Sequence, residues 1–198
     1  MYSRVIVQIL AFIILTLAIF LQYKIVMPLE ATLTNMGGTE VASLMFLPHG
    51  MKAVLVVLCG PLVLIPIFFS HLVTDLYNGM AMSDALIAGP TNVLTFLVPL
   101  ALINYLSNNN PFTYLTLSST SNLSLFRTVF VVAFIASLIN GKIGAMRYTD
   151  AGIDFLSFRF VIGDMIGTAM LLVLLLLLKN KIIQVGKLLI AAHSALKH

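Results

Sequence analysis

Charge is scarce in this 198-residue chain: 9% of residues are Asp, Glu, Lys or Arg, while 60% are apolar. A soluble domain carries about 25% charged residues to cover its surface, so much of this surface faces something other than water. Tryptophan is absent and cysteine occurs once, at Cys59, which excludes an intrachain disulfide and a cysteine-based metal centre. Cys59 lies in an apolar run, where core packing is its expected role. Also missing are a Walker loop, a Gly-x-Ser-x-Gly elbow, a His-Glu-x-x-His pair and a dinucleotide fingerprint. The expectation is therefore a non-enzymatic protein with no catalytic residue, metal or cofactor. The net charge of +4 is spread along the chain and collects only at Lys179, Lys181, Lys187 and Lys197. That pattern suits a cytoplasmic membrane face and argues against a nucleic-acid partner.

What the chain does have is long apolar runs. Val5–Leu21 holds no charge, and Val161–Leu178 holds one, Asp164. Runs of about 18 or more apolar residues match a hydrocarbon core of about 30 Å at helical rise, and without water to satisfy the backbone they must be helical. The first run continues through Gln22, Tyr23 and Lys24 with no small-x-small cleavage site, so it reads as a retained span. Clear spans are predicted at Val5–Val26, Asp84–Tyr105, Leu123–Asn140 and Phe158–Leu178. The stretch Ser43–Asn78 is too long for one span and short for two. Gly60-Pro61 interrupts it, so it is expected to form two short helices or one broken helix. The fold class expected is all-α, a polytopic transmembrane helix bundle of about six helices, with five as the fallback. Residues 1–178 make the bundle. Residues 179–198 make a basic tail that either lies on the inner leaflet as an amphipathic helix or extends the last span. Lysine and arginine placement puts the C-terminus in the cytoplasm and the Asp75–Asp84 turn outside, with Lys142 and Arg147 objecting. The segments Asn108–Pro111 and Ser118–Asn122 read as polar loop.

An ionisable group inside a span costs about 2.5–3.5 kcal/mol on insertion scales, so each needs a reason. Asp164 sits between Gly163 and Gly167, a small-xxx-small face that lets a neighbouring backbone approach. It reads first as an interhelical tether and next as a ligand contact. In Phe46-Leu47-Pro48-His49-Gly50-Met51-Lys52, Pro48 suits a first helical turn and Gly50 admits a close neighbour. His49 and Lys52 share a face, available to an anion or to Asp164. The plainer readings are a His49 bonded to backbone or water at the interface, and a Lys52 that snorkels to the headgroups. Weaker candidates are His71 and Asp75, four apart on one face but too few for a metal site. Arg127 and Arg159 lie near span ends, where phosphate contact is the default and carboxylate pairing the alternative.

At these two segments the chain resembles the first-type MASE domain, a bacterial membrane-associated sensor module. Phe46-Leu47-Pro48-His49-Gly50 corresponds to the family's Trp-Pro-Pro-(Ser/Thr)-Gly-type segment. Phe160-Val161-Ile162-Gly163-Asp164-Met165-Ile166-Gly167 corresponds to its Trp-x-x-Gly-Asp-x-x-Gly-type segment, with Phe160 where the family has Trp. The resemblance covers about Leu44 to Leu178. It implies a multi-pass sensor of the bacterial inner membrane that takes part in signal transduction. Its partners would be the lipid bilayer, a protein in the membrane or at its cytoplasmic face, and a small-molecule ligand. A substrate-capturing transporter subunit and a structural subunit of a larger membrane complex remain the alternatives.

Overall fold

Three prolines and two glycines shape the first half of the chain. The computed structural model describes residues 2–34, 43–106, 122–147 and 153–195, and every regular element among them is helical. Helix α1 (Tyr2–Leu21) runs into a π-turn at Gln22–Val26 and then helix α2 (Met27–Thr34). Pro28 has no N–H for the Lys24 carbonyl, so the ordinary i→i+4 bond cannot form there. The helix widens instead, and the Met27 N–H bonds the Gln22 carbonyl. The widened turn swings Gln22 into the interior, where it is fully buried.

Helix α3 (Leu47–Cys59) begins with Pro48 in its first turn and ends at Gly60, whose φ of 59° lies in the left-handed region. Only glycine takes that conformation without strain. A short 3-10 turn, Gly60–Val63, leads into α4 (Leu64–Tyr77). The two helices do not continue in line. Lys52 and His71 are 19 residues apart yet their side chains meet at 3.1 Å, whereas a straight helix would separate them by about 28 Å. The pair is a V with its point at Gly60-Pro61. A second left-handed glycine, Gly79 with φ 87°, turns the chain into α5 (Met82–Leu106), followed by α6 (Asn122–Arg147) and α7 (Ile153–Ala195).

Among the described residues five segments are long and apolar enough to cross a membrane: Arg4–Leu33, Leu47–Tyr77, Met82–Leu106, Leu125–Gly144 and Phe155–Leu178. The chain is a multi-pass membrane protein. The expected count of about six becomes five such segments, the second of them folded back on itself. Inside the third, Pro90 and Pro99 interrupt the backbone ladder. Near Pro90 the side chains of Thr91, Asn92 and Thr95 bond back to carbonyls four residues earlier. Large apolar side chains such as Leu17, Ile25, Phe130 and Leu174 point outward, as lipid contact requires. The last helix is unbroken to Ala195, a length of about 65 Å, so its backbone continues well past the apolar segment that ends at Leu178. The segments 107–121 and 148–152, which include the predicted polar loops except for Asn122, the first residue of α6, and the lysine side chains of the tail lie outside the described residues.

The legs alternate in direction. Phe20 stacks edge-on against Tyr77 at 4.8 Å, and Gln8 and Ile9 line a groove with Ile65 and Pro66, so α1 and α4 run the same way. Phe46 meets Gly163 and Gly50 meets Thr168, so α3 and α7 run together in the opposite sense. Packing is heaviest in the pairs α6–α7, α4–α5, α1–α4 and α3–α7, which mark out two groups, α1, α4 and α5 beside α3, α6 and α7, joined mainly through α5 and α6. The apolar core between them includes Leu15, Val56, Ile67, Phe96, Val132 and Leu171.

Candidate functional site

Gly163 and Gly167 exist in this sequence because a chain lies on them. The segment 43–47, which leads into α3, crosses α7 so closely that a Cβ on Gly163 would collide with the Ser43 carbonyl, and one on Gly167 with the Phe46 carbonyl. The Phe46 N–H bonds the Gly163 carbonyl at 2.9 Å. The crossing is held from the other side by α1 and α2. Gln22 donates to Ser43 Oγ and to the Met45 carbonyl, and accepts from the Leu47 N–H. Glu30 accepts from Ser43 Oγ and from the Leu44 N–H, both at 2.6 Å, and lies 3.7 Å from Arg159. Gly50 is buried against the Thr168 backbone, and Pro48 is buried beside it. These glycines and Pro48 serve helix packing, and they fix the depth at which His49 and Lys52 enter the bundle.

That depth places five titratable side chains in one cluster. Lys52, 1% exposed, donates to Asn92 Oδ1 at 3.0 Å and to His71 Nε2 at 3.1 Å. An ammonium only donates, so Nε2 of His71 accepts and its Nδ1 carries the hydrogen, facing Asp75 Oδ2 at 4.0 Å. Lys52 is also within electrostatic range of both Asp164 and Asp75. On its far side, Asp164 Oδ2 accepts from Asn140 Nδ2 at 2.9 Å and lies 3.1 Å from His49 Nδ1. His49 and Asp164 are 0% and 1% exposed. The other ring nitrogen of His49 meets the Ala133 carbonyl at 3.0 Å. The cluster thus gathers groups from α3, α4, α5, α6 and α7. Lys52 is its bridge, joining α3 to α4 and α5.

A cavity of about 480 Å³ opens above the cluster. It reaches from the turn at Asn78, Gly79 and Met80 to Lys52, Asp75, Asp164, Asn92 and Asn140, with Tyr23, Phe46 and Phe160 among its walls. Its volume falls within the range of small-molecule pockets.

The residues singled out from sequence divide accordingly. His49, Lys52, Asp164, His71 and Asp75 come together. Lys52 does not snorkel, and His49 is an interior residue bonded to backbone rather than an interfacial one. Arg159 pairs with Glu30 at the rim, the carboxylate alternative rather than phosphate contact. Arg127 is exposed and is not among the residues that line the cavity. Sequence reading missed Asn92, Asn140, Gln22, Glu30 and Ser43. The only signal was polarity inside apolar runs, which an uncharged amide gives weakly. Among the described residues no group of three or more His, Cys, Asp or Glu side chains is arranged to hold a metal ion. Comparison with family models, with curated proteins and with solved structures finds no match for this chain.

Proposed function

We propose that this chain is a non-enzymatic receptor of the bacterial inner membrane, with its C-terminus in the cytoplasm. It binds a small polar molecule in the cavity and signals through a separate protein partner. The carrying observation is Lys52, buried in a membrane bundle and bonded to two other helices at the inner end of a 480 Å³ cavity. A lysine in a span is costly, and a purely structural tether needs no cavity beside it. The cavity lies between the two helix groups, so an occupant touches both and biases their separation. A ligand shifts such an equilibrium by as much as its affinity differs between the two arrangements. The resemblance of the Phe46–Gly50 and Phe160–Gly167 segments to the first-type MASE domain points to the same sensor role.

A second reading, a substrate-capturing transporter subunit, is favoured by the broken α3–α4 pair, since transporter sites use discontinuous helices. Both readings need a water-filled cavity, and cysteine labelling tests it. In a Cys59→Ala background, Ala88→Cys, on the cavity wall, is expected to react with a small water-soluble thiol reagent. Leu100→Cys, in the dry core, is expected to stay inert. Equal inertness of the two would refute the cavity and both readings with it.

A further inference from the structure

The His49–Asp164 contact carries a requirement for a proton. Nε2 of His49 faces the Ala133 carbonyl, an acceptor only, so Nε2 holds a hydrogen. A bare Nδ1 would then set its lone pair 3.1 Å from a carboxylate oxygen, two acceptors face to face in a buried place. The contact is not aligned as a hydrogen bond, and Nδ1 has no other partner. One proton on the pair, as imidazolium with carboxylate or as imidazole with carboxylic acid, removes the conflict. The ionisable groups around it are Lys52 from α3 and His71 and Asp75 from α4. From α5 and α6 the facing groups are the amides of Asn92 and Asn140, and Arg159 at the rim is held by Glu30.

With that proton in place the cluster is electrically balanced: Lys52 offsets Asp75, and the proton offsets Asp164. Without it the cluster carries one net negative charge, and Asp164 lines the cavity. We propose that the cavity takes a small organic ammonium compound, which displaces this proton as it binds. The inference rests on the receptor reading above and names the ligand class for that site. The ammonium group occupies the space before Asp164 and Asp75. The aromatic walls Tyr23, Phe46 and Phe160 suit a cation with attached carbon better than a bare metal ion. The proton leaves the His49–Asp164 pair to the water of the cavity, so total charge is conserved. Because the empty site holds one more proton than the filled one, affinity for the ammonium compound rises with pH.

The test is proton release by the full chain in phosphatidylcholine nanodiscs, read in weak buffer with a pH dye against empty-disc blanks. The probes are ethylammonium chloride, which is fully protonated at neutral pH, and sodium chloride at equal ionic strength. The expected result is about one proton released per chain by ethylammonium and none by sodium. Asp164→Asn is expected to release none. His49→Gln, which keeps a donor for the Ala133 carbonyl, is expected to bind ethylammonium without release, as seen by a thermal shift. No release from the native chain, equal release by sodium, or full release from His49→Gln overturns the inference. If Ala88→Cys still labels in those cases, the ligand class alone has failed. If it does not, the cavity reading has failed too.

Discussion

Replacing Lys52 by methionine keeps most of the length of the side chain and deletes its charge and both of its bonds. Hydrogen bonds to a charged group are worth about 1.5–3 kcal/mol each, and Lys52 makes two, to Asn92 and His71. Part of that is regained, because a buried ammonium no longer has to be desolvated. What is not regained is the balance of the cluster, since Asp75 loses the cation that offsets it. Removing one member of a buried charged set costs about 3–5 kcal/mol. At roughly 2–4 °C per kcal/mol for a chain of this size, Lys52→Met is expected to melt about 6–20 °C below the native chain. Circular dichroism in detergent measures this. The double variant Lys52→Met/Asp75→Asn separates loss of balance from loss of packing. It removes a charge of each sign, so it is expected to be less destabilised than the sum of the two single variants. A Lys52→Met melting point within 2 °C of native, or strict additivity in the double variant, would refute the claim that Lys52 is held by its charge.

Other positions give sharper contrasts. Gly163→Ala and Gly167→Ala each drive a Cβ into backbone of the crossing segment, and each is expected to cost about 2 kcal/mol or more of stability, read as a fall in melting temperature. Glu30→Gln keeps the shape of the clasp over Ser43 and Leu44 but weakens two charge-assisted bonds, so a loss of about 1–2 kcal/mol is expected in the same assay. Arg127→Gln, at an exposed position, is expected to lie within about 0.5 kcal/mol of native and to leave proton release by ethylammonium unchanged.

Much of the frame was legible because lipid imposes a coarse rule. Charges in apolar runs stand out, so Asp164, Lys52 and His49 could be named from sequence, and the glycines around Asp164 implied a close backbone. The break at Gly60-Pro61 was legible too, but its angle was not. The dihedral angles at Gly60 decide whether His71 and Asp75 land beside Lys52 or far below it, and residue type leaves them open. Asn92 and Asn140 escaped notice because an amide barely disturbs hydropathy, although each bonds a charged member of the cluster. Gln22 read only as a continuation of the first span, Val5–Val26. Only the π-turn before Pro28 turns it inward, and nothing local distinguishes that outcome from a frayed helix end.

The choice between receptor and carrier turns on what lies beyond Lys52. The Lys52 ammonium lies 5.2 Å from the centre of the Phe96 ring, and the His49 ring lies 4.9 Å from it. Phe96 is fully buried, and toward the point of the V the core is apolar, with Ala53, Val56, Val57, Val63 and Leu100 all buried. A charged ligand crossing that layer would shed its water and find no polar partner, at a cost of several kcal/mol. A carrier must open this packing once per cycle, whereas a receptor needs only the upper half of the bundle to move. The polar bonds between the two helix groups lie in that upper half, at Lys52, Gln22 and Glu30. The α3–α4 turn at Gly60 is free to act as a fixed point below them. On the proposed receptor reading the broken pair serves as a hinge for the cavity walls, whereas a carrier would need it as a gate through the membrane.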